Sequence, residues 1–234
     1  MPKYMFTYVG DDAIKHLLGR YKCPLPFHAA CMRVWGAIAS PQPGISPVPV
    51  FASLWGGDPP PFADHAETNA FFQGMMGLWN SLAALQDGSP PLKLTTISAI
   101  ENREALHAAA KMRVEELWDG FVEGFTGGND AIDVPAGVSF RVHRIEEAIR
   151  LLVGERNTFA APPGPEDDAM MAEFIRMFPV IDKAVEGDLN AIAVAVKEWR
   201  GERLRKPPPK RKPATRSKRR PAKLPRREKS HTLH

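Results

Sequence analysis

The chain has only two cysteines, Cys23 and Cys31, among its 234 residues. That excludes a disulfide framework and any four-thiolate zinc site. It has no apolar run approaching the roughly 18 residues that span a bilayer. The opening MPKYMFTYVGDD lacks the apolar core of a secretory signal, so a cytoplasmic protein is expected. There is no Gly-x-Ser-x-Gly, no P-loop and no Gly-x-Gly-x-x-Gly, which removes the common local signals for a serine hydrolase or a nucleotide cradle. Strand-type alternation and fixed-period repeats are also missing.

What is present is a division of charge. Residues 203–234 hold 14 Lys/Arg against one acid, Glu228, a net +13. Of the 31 bases and 27 acids in the whole chain, 17 and 26 remain, which leaves residues 1–202 at −9. An acidic body carries a basic tail, and the overall +4 describes neither.

Apolar spacing in the body predicts an all-α, bundle-like domain over 1–202. Asp11 or Asp12 caps a short helix reaching Gly19, and Pro24 and Pro26 separate it from a helix over Phe27–Ala39. Ala30, Val34 and Ile38 share one side of that second helix, with Arg33 on the other. Seven of the 21 residues in 41–61 are proline, yet the stretch keeps Phe51, Leu54 and Trp55. It reads as a packed loop with one helical turn near Val50–Leu54, covering an end of the core. A ligand-binding lid is the sharper alternative.

Asp64-His65-Ala66-Glu67 has capping-box spacing and opens a helix to about Asp87 with a stripe of Phe71, Met75, Leu78, Leu82 and Leu85. Asn80 within it is read as a buried polar residue holding a tertiary hydrogen bond. Ser98–Glu101 repeats the box and opens a helix from about Ala99 to Thr126, ended by Gly127-Gly128. In its last third, Trp118, Phe121 and Phe125 share one side, and Gly120 and Gly124 form a bare stripe beside them. A helix-interior glycine costs roughly 1 kcal/mol relative to alanine. Two of them therefore predict close approach by another helix, with the three rings buried.

A further segment covers Val138–Val153, with Val142, Ile145, Ile149 and Leu152 inward. Glu166, Asp167 and Asp168 suit the start of the next helix. That helix turns Met170, Phe174, Met177 and Phe178 inward. Pro179 is expected to interrupt it. Gly187-Asp188 is expected to stop one helix and cap another bearing Leu189, Ile192, Val196 and Trp199.

The chemistry-bearing combinations are sparse, and no catalytic, cofactor or metal residue is assigned. Glu104-x-x-His107 has di-iron bundle spacing but no second Glu-x-x-His, and His143…Glu146 is reversed. His65-x-Glu67 lacks the downstream Pro-Cys-x-x-Cys of zinc deaminases. Cys23, His28 and Cys31 fit no zinc module, and Cys31 reads as a buried thiol. Glu115, Glu116, Asp119 and Glu123 form an acidic patch that is mildly self-repelling at i, i+4. A solvated face accounts for it, and Arg113 or the tail are the cations that could relieve it.

The tail carries the strongest functional signal. It has six prolines and almost nothing apolar between Arg205 and Lys229, so it is expected to be disordered. Lys206, Lys210, Arg211, Lys212, Arg216, Lys218, Arg219, Arg220, Lys223, Arg226 and Arg227 are its candidate nucleic-acid contacts. They would act through counterion release with little sequence preference, since the tail has no aromatic residue to stack on bases. A solubilising tail, or one folded back on the acidic body, is the plainer alternative.

Four stretches in order carry a resemblance. They are Ser40-Pro41…Pro47 with Phe51-Ala-Ser-Leu-Trp55-Gly-Gly-Asp-Pro59…Phe62-Ala-Asp64, then Leu78-Trp79-Asn80-Ser81-Leu82, then Trp118-Asp-Gly120-Phe121-Val-Glu-Gly124-Phe125, and finally Glu198-Trp199-Arg200. Together they resemble the YecA-like (YgfB/YecA) family of bacterial proteins over about residues 25–200, with Trp55, Asn80, Trp118, Gly120, Phe121 and Gly124 as matching structural positions. Trp118 lies one residue closer to the Gly-Phe pair than in that family's pattern, and Ala30–Trp35 replaces its Gly-Phe-rich first helix. The resemblance implies an all-α fold, a bacterial cytoplasm and a dimer. It brings no catalytic residues. The cysteine-rich zinc module that ends many relatives is missing, and the basic tail stands in its place. A non-enzymatic adaptor is the resulting expectation. Its body would bind a protein partner and its tail would tether it to RNA, ribosome or DNA. A regulator acting by protein contact and, third, a metal-dependent enzyme are the alternatives.

Overall fold

The computed structural model describes residues 6–87, 90–129, 132–160 and 167–205, and these are helical with connecting loops and no strand among them. The chain runs α1 (Asp11–Arg20), α2 (Phe27–Ala39), α3 (Pro47–Ser53) and α4 (His65–Ala84) with a 3₁₀ turn at Leu85–Asp87. An extended segment follows. Next comes α5 (Arg103–Val114), which passes without a break into a π-helical stretch (Glu115–Val122) and α6 (Glu123–Thr126). Last are α7 (Ala136–Ala160) and α8 (Asp167–Arg205).

α2 is the shared wall of two apolar clusters. Ala30, Val34 and Ile38 face Ile14, Leu18, Phe51, Leu54, Phe71, Met75 and Leu78 from α1, α3 and α4. Met32, Trp35 and Ala39 face the larger cluster built by α5, the π-helical stretch, α7 and α8. A helix apolar on both sides must be sandwiched, and α2 is.

Its main partner is the stretch around Gly120 and Gly124, and the crossing is made of backbone. A Cβ on Gly124 would lie 2.2 Å from the Arg33 carbonyl oxygen, and one on Gly120 would lie 2.7 Å from Met32 Cβ. α2 reciprocates, since a Cβ on Gly36 would lie 2.5 Å from the Phe121 carbonyl oxygen. The two expected glycine contacts are therefore present. Phe121 and Phe125 are buried, and Phe121 packs on Trp35 at 5.8 Å between ring centroids. Trp118 departs from expectation. It is 45% exposed. The expectation of three rings on one side assumed α-helical winding throughout. The π-helical stretch takes more residues per turn and rotates Trp118 off the stripe that holds Phe121 and Phe125.

Other boundaries also moved. Ser98–Glu101 does not open α5. Asn102 does, accepting from the Ala105 N–H at 2.8 Å, because the residues before it are held extended against α8. The two aspartates of α1 lie inside its first turn, and Gly10 stands at the cap without a side-chain bond. The box at Asp64 does form. Asp64 accepts from the Glu67 N–H at 2.7 Å, and the Glu67 carboxylate reaches back to the Ala63 N–H. Asn80 makes a tertiary hydrogen bond, donating to the Phe6 carbonyl at 3.2 Å, but from an exposed position and not a buried one. Trp55 is half-buried, donates to the Tyr21 carbonyl at 2.8 Å and meets Phe71 edge-on.

Neither Pro179 nor Gly187-Asp188 interrupts α8. The inward stripe Phe174, Phe178, Val185, Leu189, Ile192, Val196 keeps helical register across the proline. Burying it outweighs the roughly 3 kcal/mol an interior proline costs. Asp188 is no cap. It is buried and holds Arg141 at 2.7 Å and Arg144 at 3.3 Å from α7. Met170 is exposed, not inward. Glu166 lies outside the described residues.

Candidate functional site

The π-helical stretch presents three different environments around its axis. The glycine side is closed by α2. A second side enters a buried ionic cluster. A third combines Trp118 with the acidic stripe Glu115, Asp119 and Glu123.

The buried cluster centres on Arg113, two residues before the π-helical stretch and 1% exposed. Its Nε and Nη2 donate to both carboxylate oxygens of Asp182 in α8, at 2.8 and 2.7 Å. Its Nη1 donates to Glu116, itself 2% exposed, and Nη2 also reaches the Thr95 carbonyl at 3.0 Å. Glu116 accepts from the Thr95 N–H and hydroxyl at 3.0 and 2.9 Å. Glu116 therefore leaves the acidic patch expected from the sequence. It is spent inside the fold.

The same cluster anchors the extended segment. Asp182, Glu186 and Asn190 recur every fourth residue on one side of α8. Asn190 brackets Leu92, accepting from its N–H at 2.8 Å and donating to its carbonyl at 3.0 Å. Glu186 accepts from the Leu94 N–H at 3.0 Å and from Lys93 at 2.8 Å. Side chains thus do for residues 92–95 what a neighbouring strand would do, while Leu92 and Leu94 fill the core. The spacing of Asp182, Glu186 and Asn190 is the only trace of this polar ladder in the sequence, and it reads equally well as a solvated face.

The acidic stripe is not simply solvated either. Glu115 lies 3.5 Å from His28 and 3.9 Å from Lys111. Burial pushes the Asp119 carboxyl above its ordinary 3.8, Arg33 opposes the shift, and Glu115 and Glu123 add to it. The ionised form of Asp119 is therefore less favourable in the fold than in the unfolded chain. Its contribution to stability is complete below pH 3.8 and is lost as pH rises through the raised value. Asp119→Asn is expected to raise the urea midpoint at pH 7 and to have no such benefit at pH 3.5. A midpoint gain of equal size at both pH values would refute this origin.

Beside the stripe, α2, the α3 region and the turn after α6 line a half-open cavity of about 500 Å³. Arg33, Ser40, Gln42, Ser46, Ser53 and Glu123 supply its polar lining, with Ala37, Ile45, Pro49 and Val50 between them. The proline-rich region is thus packed, and it forms one wall of a cavity. Its helical turn spans Pro47–Ser53, with both prolines in the first turn, where no backbone N–H is needed.

Neither a family model nor a curated protein nor a solved structure matches this chain.

The remaining sequence-level candidates separate in space or fall outside the description. Glu104 is exposed and His107 half-buried, and no group of three His, Cys, Asp or Glu able to hold a metal occurs among the described residues. Cys23 donates to the Leu54 carbonyl at 3.6 Å, and burial pushes the Cys31 thiol to about 12. The tail candidates Lys206 to Arg227 lie outside the described residues. Arg203 belongs to α8, where it stacks on Trp199 at 4.1 Å and pairs with Asp133 at 2.7 Å. No described helix is long and apolar enough to cross a membrane.

Proposed function

We propose that this protein is a non-enzymatic adaptor, whose acidic helical body binds a protein partner and whose basic tail tethers it to a phosphate polyanion. The opposition of charge carries the reading: −9 over residues 1–202 against +13 over 203–234. A chain of one net charge would need neither arrangement. The tail's cations suit the backbone of RNA, free or ribosomal, or of DNA. The family resemblance supports the same division, since the tail stands where relatives carry a terminal module.

On the body, Trp118 is the favoured partner contact. It is a large exposed ring next to Asp119 and one turn from Glu115, on a backbone that α2 locks in place. Exposed, rigidly held tryptophans are typical anchors of protein interfaces, and flanking carboxylates favour a basic partner segment. This feature also favours the second reading, a regulator that acts by protein contact alone.

Two changes separate the readings. Removing residues 206–234 is expected to abolish retention on immobilised RNA and duplex DNA at low salt while in-cell crosslinks to the body persist. Trp118→Ala is expected to do the reverse. If the shortened chain is retained as well as the full one, the tether fails. If Trp118→Ala leaves the crosslinks unchanged, the body contact lies elsewhere.

A further inference from the structure

The cavity beside the acidic stripe is lined by two charged side chains, Arg33 and Glu123, that form no ion pair among the described residues. Arg33 is half-buried. Its Nε donates to the Asp119 carbonyl at 2.8 Å and its Nη1 to the Ser53 carbonyl at 3.1 Å. Both acceptors are neutral, and Nη2 has no partner among the described residues. Asp119 feels the guanidinium electrostatically, but its carboxylate makes no ion pair with it. Those two bonds fix the guanidinium at the cavity edge, spanning α3 and the π-helical stretch.

Glu123, also half-buried, lines the same cavity, and its carboxylate has neither a hydrogen bond nor an ion pair among the described residues. A partly desolvated charge without a counter-charge is costly. Here a cation and an anion line one cavity, and they do not pair with each other. Elsewhere the fold pairs such groups readily, as at Arg113 and Asp188.

We propose that this cavity binds a small zwitterion of amino-acid to dipeptide size with an aliphatic side chain. Its carboxylate meets Arg33 and its ammonium meets Glu123. The aliphatic group lies among Ala37, Ile45, Pro49 and Val50. The volume, about 500 Å³, is within the range of small-molecule sites and too small for a folded partner. An anion alone would leave Glu123 unpaired and repelled, and a cation alone would do the same to Arg33. The site does not depend on the tail or on Trp118, so it stands or falls separately from the adaptor reading.

The test is titration of the full chain, by calorimetry and by amide NMR shifts, with the twenty free amino acids and L-leucyl-L-leucine. Each ligand that binds is repeated in N-acetylated and in carboxamide form. An aliphatic zwitterion is expected to bind and to shift the amides of Gly124, Gly127 and Gly128. Either blocked form is expected to bind at least about tenfold more weakly. Glu123→Gln keeps the shape of the side chain. It is expected to weaken the free zwitterion about tenfold and to strengthen the anionic N-acetyl form, which Glu123 repels. Arg33→Lys is expected to weaken the carboxamide form less than the free ligand. No binding by any member of the panel overturns the proposal. So does binding that is indifferent to both blocking groups and to Glu123→Gln.

Discussion

Gly124→Ala is expected to cost on the order of 3 kcal/mol, a large part of an ordinary domain's stability. The added Cβ would sit 2.2 Å from the Arg33 carbonyl oxygen and 2.9 Å from its carbonyl carbon. Both are backbone atoms of a helix buried on two sides, so no side chain can rotate out of the way. α2 would have to withdraw, opening the seam between the two apolar clusters it joins. Gly36→Ala meets the Phe121 carbonyl oxygen at 2.5 Å and is expected to act in the same direction. Once one substitution has separated the helices the second meets less resistance, so the double variant is expected to cost less than the two singles together.

Gly187→Ala is the control. It lies in α8 with nothing within 4 Å of an added Cβ, and it is expected to stabilise by up to about 1 kcal/mol. Urea midpoints at constant m-value measure all four variants. A wild-type midpoint for Gly124→Ala would show that the helices do not cross there.

Arg113→Met is the second large effect, expected to cost about 3–5 kcal/mol. It leaves Glu116 without its cation and Asp182 without its two-point partner. The loss should depend on pH in a defined direction. Burial already raises the Asp182 carboxyl above 3.8, with Arg113 pulling against it. A carboxyl raised in the fold contributes its stability below 3.8 and loses it as pH rises through the folded value. Removing the guanidinium raises that value further. The cost of Arg113→Met is therefore expected to be largest at neutral pH and to shrink on acidification.

Hydrogen exchange provides an independent check. The amides of Leu92, Leu94 and Thr95 donate to side chains and are expected to be protected in the wild type. In Arg113→Met, Thr95 should lose protection first, because its acceptor Glu116 is no longer held. Uniform exchange along 92–95 in both proteins would show that the ladder does not form.

These two regions also show what could be read in advance. Gly120 and Gly124 announced a helix crossing because a bare stripe has no local use in a helix. Its cost has to be offset by a contact, and the contact is α2. α2 itself was legible to the residue, since Pro26 sets its start and apolar residues cover it on more than one side. Of the Arg113 cluster, only the pairing of Arg113 with a carboxylate of the acidic stretch was legible. Its members lie 69 residues apart in the case of Arg113 and Asp182, and each alone looks like ordinary helix surface. The continuity of α8 is hidden from the sequence for a related reason. Pro179 and Gly187 are local stop signals, and only the packed stripe from Phe174 to Val196 shows that tertiary burial overrides them.

The sequence by itself determined the helical class, the main amphipathic stripes, the split between acidic body and basic tail, and the need for something to pack against the glycines at 120 and 124. Local spacing and composition suffice for those. The tertiary structure alone decided that Trp118 faces outward, that Glu116 is buried while Glu123 lines a cavity, and that Arg33 lines the same cavity, bonded to backbone carbonyls. Those outcomes depend on the winding of one helix and on which distant side chains it meets, and neither is encoded in the spacing of neighbouring residues.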